Sequence, residues 1–150
     1  MKKVLVINGP NLNLLGSREK DLYGSVTLAD IQNKMLARCE GLDVSVEFFQ
    51  SNHEGEIIDK IHEARGVVDS VLINAGGLTH YSVSLHDALK AAAIPTIEVH
   101  MTNIYQREEF RHHSLVSPAA MGGIFGFGEQ SYYLALDAAL KIMGIEEGAS

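Results

Sequence analysis

Apolar residues recur along this chain in two alternating rhythms, short unbroken runs and longer stripes spaced by three and four. Val4-Leu5-Val6-Ile7 is a run of β-branched residues and leucine, the pattern of a strand buried on both faces. Thr27-Leu28-Ala29-Asp30 reads as a capping-box variant, and Leu28, Ile31, Met35, Cys39 and Leu42 follow as one helical stripe, with Gly41 near its end. Asp43 to Gln50, carrying Val44, Val46, Phe48 and Phe49, predicts a second strand. Ser51-Asn52 is placed to cap a helix built on Ile57, Ile58, Ile61 and Ala64 and closed by Gly66. Val71 to Ile73 is a third strand, and Thr79 to Ser82 opens a helix with Leu85, Ala88, Leu89 and Ala92 on one face. Pro95 separates that helix from a fourth strand, Thr96 to Val99, with His100 just past its end. A helical turn at Glu108 to Arg111 leads to a glycine-rich fifth strand, Met121 to Phe127. The last helix runs from about Glu129 to Met143 on Tyr133, Leu136, Leu140 and Met143, and a frayed tail, Glu146 to Ser150, comes after it.

Buried strands alternating with helices predict an α/β fold: a five-stranded parallel sheet with helices on both faces and right-handed crossovers. Ligands of such sheets bind beyond the carboxyl ends of the strands, where the winding direction reverses. The polar residues of this chain collect there. Asn8 and Asn11 follow the first strand, Ser51 and Asn52 the second, Asn74 with Thr79 and His80 the third, and His100 the fourth. A lone asparagine after a strand is more often a helix cap than a ligand, but the set together favours a site.

The connection from Asn8 to Gly24 is far longer than the ~2 to 6 residues usual between strand and helix, which marks a lid or binding loop. It carries three asparagines, Arg18 and Tyr23, with Gly9, Gly16 and Gly24 as hinges.

At 150 residues the chain is expected to form a single domain, 1–150. Its formal net charge of -7 argues against a nucleic-acid backbone or an anionic membrane as partner. Cys39 is the only cysteine, so an intrachain disulfide is excluded and a reducing compartment fits. The opening run stops at Asn8-Gly9-Pro10, too short for a signal peptide, and no segment approaches the ~20 apolar residues that span a bilayer. A cytoplasmic location is the expectation.

Cofactor motifs are missing: the chain has no GxGxxG after strand one, no GxxxxGK[ST], no HExxH and no strand-end carboxylate cluster. Glu108-Glu109 with His112-His113 has a spacing that places a carboxylate beside an imidazole, but Arg107 and Arg111 flank it and repel a dication, so no metal is expected. Amides, imidazoles, guanidinium groups and a phenol remain, an inventory suited to proton transfer on a small molecule. A phenol serves as a base only when ionised, and a nearby guanidinium favours that form; Arg18 and Tyr23 share one loop. His100 suits a general acid for a leaving hydroxyl, or equally a buried, capped imidazole, and Asn11 is placed to hold an enolate oxygen. Two other classes share the fold. A flavin or nucleotide module needs a Ser-, Thr- and Gly-rich loop where this chain has Pro10, Leu12, Leu14 and Leu15, and an inactive interaction protein would lack a catalytic group.

Asn8-Gly9-Pro10-Asn11-Leu12-Asn13-Leu14-Leu15-Gly16, Arg18-Glu19 and Tyr23-Gly24 resemble the opening signature of the type II 3-dehydroquinate dehydratases. The resemblance continues through Gln50 to Gly55, Ile73-Asn74, Gly76, Thr79-His80, Asp87-Ala88-Leu89, Glu98-Val99-His100, Asn103 and Arg107 to Arg111. It implies a flavodoxin-like fold, trimers assembled into a dodecamer, and cofactor-free trans dehydration of 3-dehydroquinate to 3-dehydroshikimate through an enolate, a step of the shikimate pathway. By the same resemblance Tyr23 is the base, Arg18 the cation that stabilises its phenolate, and His100 the acid, oriented by Glu98. Asn11 would hold the water that stabilises the enolate. Asn74, His80 and Arg111 would bind substrate hydroxyls, and the backbone N–H groups of Met101 and Thr102 its carboxylate. Asp87 would reach a neighbouring subunit's site, and Arg107 would support the loop. Lys20 and Ala75 stand where the family commonly has proline, and His86, Thr102 and Tyr105 replace its usual arginine, serine and histidine.

Overall fold

The computed structural model describes residues 1–145, so the tail expected to fray lies outside the described residues. Five parallel strands, β1 (Lys2–Asn8), β2 (Val44–Gln50), β3 (Ser70–Asn74), β4 (Thr96–His100) and β5 (Gly122–Phe125), lie in the order β2-β1-β3-β4-β5. Helices α2 (Leu28–Arg38) and α5 (Gln130–Ile142) cover one face, and α3 (Glu54–Ala64) and α4 (Val83–Ala92) the other. A four-residue helix, α1 (Lys20–Tyr23), sits within the long loop.

Strand side chains alternate between faces, so β1 contributes to both layers of the core. Val4 and Val6 join Ile31, Met35 and Leu136 in one core, while Leu5 and Ile7 join Ile57, Ile61 and Leu85 in the other. The apolar run is therefore shared between two half-cores. The capping box at Thr27 forms as the sequence predicts: Thr27 Oγ1 accepts the Asp30 N–H at 3.1 Å, and the Asp30 carboxylate accepts the Thr27 N–H at 3.0 Å.

Four expectations are corrected. The strands are not all buried: β2 and β5 form the sheet edges, and Gly122, Gly123 and Phe125 are exposed. Ser51 and Asn52 do not cap α3, because Ser51 Oγ takes the His53 N–H and Asn52 reaches back to the first loop. The helix expected from Thr79 is preceded by a 3-10 turn, Gly76–His80, and α4 starts only after Ser82, whose Oγ accepts the Leu85 N–H at 3.0 Å. His100 is the last residue of β4 rather than the first beyond it.

Winding reverses between β1 and β3, whose last residues, Asn8 and Asn74, are in register. The chains leaving them run too close together for side chains: a Cβ on Gly9 would stand 2.4 Å from the Ala75 carbonyl oxygen. Gly9 therefore lets the two loops diverge around a cleft instead of colliding. Among the described residues, no helix is long and apolar enough to cross a membrane.

Candidate active site

The cleft opens at the carboxyl rim and encloses about 250 Å³. It is lined by Asn11 from the first loop, Arg18 and Tyr23 from the lid, Asn74 at the end of β3 with His80 beyond it, and His100 at the end of β4 with Met101, Thr102, Arg107 and Arg111 beyond it. Two of the predicted residues lie elsewhere. Glu98 is buried behind His100, and Asp87 is exposed on α4 without lining the cleft.

The lid is held by local backbone geometry. Glu19 takes a left-handed conformation with φ +44°, α1 follows, and Gly24, at φ +74°, closes it with its N–H on the Lys20 carbonyl at 2.7 Å. This turn brings the Tyr23 phenol oxygen within 2.9 Å of Arg107 Nη1, which donates to it. Two guanidinium groups flank the ring, Arg107 at 5.7 Å and Arg18 at 5.8 Å from its centroid. Arg18 is meanwhile paired with Glu19 at 3.2 Å, so Arg107 makes the only direct hydrogen bond to the phenol among the described residues. The family resemblance assigns Arg107 a supporting part only. Its position 84 residues from Tyr23 leaves no local signal of that bond.

Asn11 is also left-handed, φ +71°, and the side chain of Asn52 fixes it by accepting its N–H at 2.9 Å. Asn74 is held from below by a residue that sequence reading misses, Tyr132 of α5. Asn74 Nδ2 donates to the Tyr132 hydroxyl at 2.9 Å, which donates in turn to Asn8 Oδ1 at 2.6 Å. Complete burial pushes the Tyr132 phenol far above its ordinary range, so it stays a neutral donor. A single aromatic on a buried helix face carries no sign that its hydroxyl reaches a rim asparagine.

His100 Nε2 bonds Glu98 at 2.7 Å, and Ser114 and Ser117 also donate to the Glu98 carboxylate. Burial works to raise the Glu98 pKa, but these three hydrogen bonds outweigh it and hold the carboxyl below its usual range. The His80 ring stacks on His100 with centroids 6.5 Å apart, and its Nδ1 bonds the His113 carbonyl at 2.9 Å. Burial lowers the His80 pKa, His100 and Arg111 add to this, and the His113 carbonyl opposes it without reversing the sign. A neutral His80 protonated on Nδ1 presents Nε2 as an acceptor.

Among the described residues, Arg18, Arg107 and Arg111 face the cleft with Glu19 as the one carboxylate of the lining, so the site suits an anionic ligand although the chain as a whole is acidic. Among the described residues, no three His, Cys, Asp or Glu side chains converge as a metal site.

Fold and cleft together define a flavodoxin-like α/β protein whose carboxyl-rim cleft is lined by a phenol, two imidazoles and three guanidinium groups. The profile of the class II dehydroquinases matches residues 2–140. The chain is 60% identical over 144 residues to the 3-dehydroquinate dehydratase of Caldicellulosiruptor bescii, covering 95% of this chain and 99% of that one. It is 56% identical to the enzyme of the same name from Caldicellulosiruptor saccharolyticus, covering 96% and 100%. The crystal structure of the type II dehydroquinase from Butyrivibrio crossotus superposes with a TM-score of 0.89 at 47% identity, over 92% of this chain and 97% of that one. The chain belongs to the class II dehydroquinase family, and with it to the hydro-lyases.

Proposed function

We propose that this chain, as one catalytic domain without a cofactor, carries out the trans dehydration of 3-dehydroquinate to 3-dehydroshikimate through an enolate. The observation that carries the reading is one cleft faced by a phenol bonded to a guanidinium and an imidazole bonded to a buried carboxylate. Tyr23, as phenolate, takes the proton from the carbon beside the substrate ketone, and the electron pair of that C–H bond becomes the enolate. Asn11 holds the water that hydrogen-bonds the enolate oxygen. As the enolate collapses, the C=C bond forms and the C–O bond breaks; protonated His100 gives its proton to the departing hydroxyl, which leaves as water. One proton then passes from Tyr23 back to His100 and restores both groups.

Binding falls to the rest of the lining. His80, Asn74 and Arg111 hold substrate hydroxyls, and the backbone N–H groups of Met101 and Thr102 hold the carboxylate, a division supported by the cationic cleft and by the acceptor that neutral His80 offers. The test is turnover of 3-dehydroquinate, followed by the ultraviolet absorbance of the conjugated product. Activity should survive a chelator, and also borohydride added with substrate, since the proposed steps route nothing through a metal or an imine. Loss to either treatment would overturn the mechanism.

The reading includes a cytoplasmic enzyme whose trimers assemble into a dodecamer. Asp87, exposed on α4 and away from its own cleft, is of use to a substrate only in a neighbour's site, and the open edge at β5 with exposed Phe125 and Phe127 offers surface for contact. Mixing impaired Asp87→Asn subunits with impaired Arg18→Ala subunits should raise the activity above that of either variant alone, at shared sites. A fully active monomer at assay concentration would refute the assembly.

A further inference from the structure

The segment between the 3-10 turn at Glu109–Arg111 and β5 carries no group that the reaction uses, yet it touches the site at several points. Its backbone is tied to the far side of the cleft. The Leu115 N–H donates to the Thr79 carbonyl at 2.8 Å, His86 Nδ1 bonds the Leu115 carbonyl at 2.8 Å, and His80 Nδ1 bonds the His113 carbonyl at 2.9 Å. Two hydroxyls of this strap, on Ser114 and Ser117, meet the buried Glu98 carboxylate.

The direction of the Ser114 hydrogen bond is fixed by its other partners. Ser114 Oγ accepts the N–H of Val116 at 3.2 Å and of Ser117 at 3.0 Å, which occupies both lone pairs. Its proton goes to Glu98 Oε2 at 2.6 Å. Ser117 donates to the other oxygen, Oε1, so the carboxylate is pinned at both ends with its plane set toward His100. A carboxyl this buried is driven toward its neutral form, in which it would carry a proton of its own and donate to His100 instead of accepting. Two donated hydrogen bonds from the strap counter that drive, and Glu98 stays an acceptor only.

We infer that Ser114 and Ser117 are positioning residues that clamp Glu98 as an ionised acceptor, so that His100 keeps its proton on Nε2 and Nδ1 is left free to take up and release the catalytic proton. Nδ1 has no protein partner among the described residues, and His100 lines the cleft. The inference rests on the reading of His100 as the acid, but its first test is independent of turnover.

The tautomer of His100 is read from the nitrogen chemical shifts of histidine-labelled protein, recorded above pH ~8, where an ordinary imidazole is neutral. The native chain should show His100 protonated on Nε2. In the Ser114→Ala/Ser117→Ala double variant the Nδ1-protonated form should become populated, with kcat reduced roughly tenfold and KM held within about twofold, the split expected when a reacting group is misplaced and binding groups are intact. Ser117 is exposed, so Ser117→Ala alone gives the same comparison if the double variant does not fold. Reinstating the hydroxyl as Ser117→Thr should restore the native signature. An unchanged Nε2-protonated signature in both alanine variants overturns the clamp whatever turnover does. A shifted signature with unchanged kcat upholds the clamp and removes His100 from the acid's role.

Discussion

Tyr23→Phe should abolish the chemical step and leave substrate binding nearly intact. The ring is half-buried against the core cluster that holds Leu12, Leu15 and Ile31, and phenylalanine keeps that packing, so the lid should remain in place. Only the oxygen proposed to take the proton is lost, together with its 2.9 Å bond from Arg107. General-base catalysis contributes ~10²- to 10⁴-fold, and among the described residues Tyr23 is the one phenol lining the cleft, Tyr132 being buried and held neutral. The expected outcome is a fall in kcat of ~10³-fold or more with the dissociation constant of the substrate, measured by calorimetry, within about threefold of native. A variant that retains a tenth of native turnover would remove Tyr23 from the role of base.

How far the chain can be read in advance depends on the range of each interaction. The Thr27–Asp30 capping box is made by residues three apart, and it forms as the sequence predicts. The stripe of α2 and the two-faced run of β1 are likewise local patterns, and they define the helices and the parallel sheet. Burial of whole strands is misjudged where sheet order decides it: nothing in Val44–Gln50 or Gly122–Phe125 states that these are edges. The helix start expected at Thr79 falls inside the 3-10 turn Gly76–His80, while Ser82 caps the true start of α4.

At the site, the rim residues are legible because the ends of β1, β3 and β4 bring polar groups to one side of the sheet. Asn52 reads as a cap, since Asx side chains usually serve the nearest helix; here it accepts the backbone N–H of Asn11 in the first loop. The supports behind the rim are not legible. Tyr132 under Asn74, Ser114 and Ser117 on Glu98, and Arg107 on Tyr23 are each brought in from a different stretch of chain, and their residue types are common in ordinary cores and loops.

The second large effect belongs to Arg107 and Arg18 taken together. Their guanidinium groups lie 5.7 and 5.8 Å from the centroid of the Tyr23 ring, yet only Arg107 hydrogen-bonds the phenol oxygen, and it is the more buried of the two. Arg18 is half-exposed and shares its charge with Glu19, so solvent and that carboxylate weaken its hold on a phenolate. Removing a preorganised donor aimed at developing charge costs ~10²- to 10³-fold in kcat, and Arg107→Ala should lie in that range. Arg18→Ala, acting through space and in part screened, should cost about tenfold less than Arg107→Ala. Because both cations act on one anion, the double variant should lose less than the product of the two single losses, a coupling that a kinetic double-mutant cycle measures directly. Arg107→Lys keeps the charge but not the planar fork, and its kcat should fall between native and Arg107→Ala. If Arg107→Ala keeps more than a tenth of native kcat while Arg18→Ala loses most of it, then the lid arginine alone stabilises the phenolate and the 2.9 Å bond from Arg107 serves only to seat the ring.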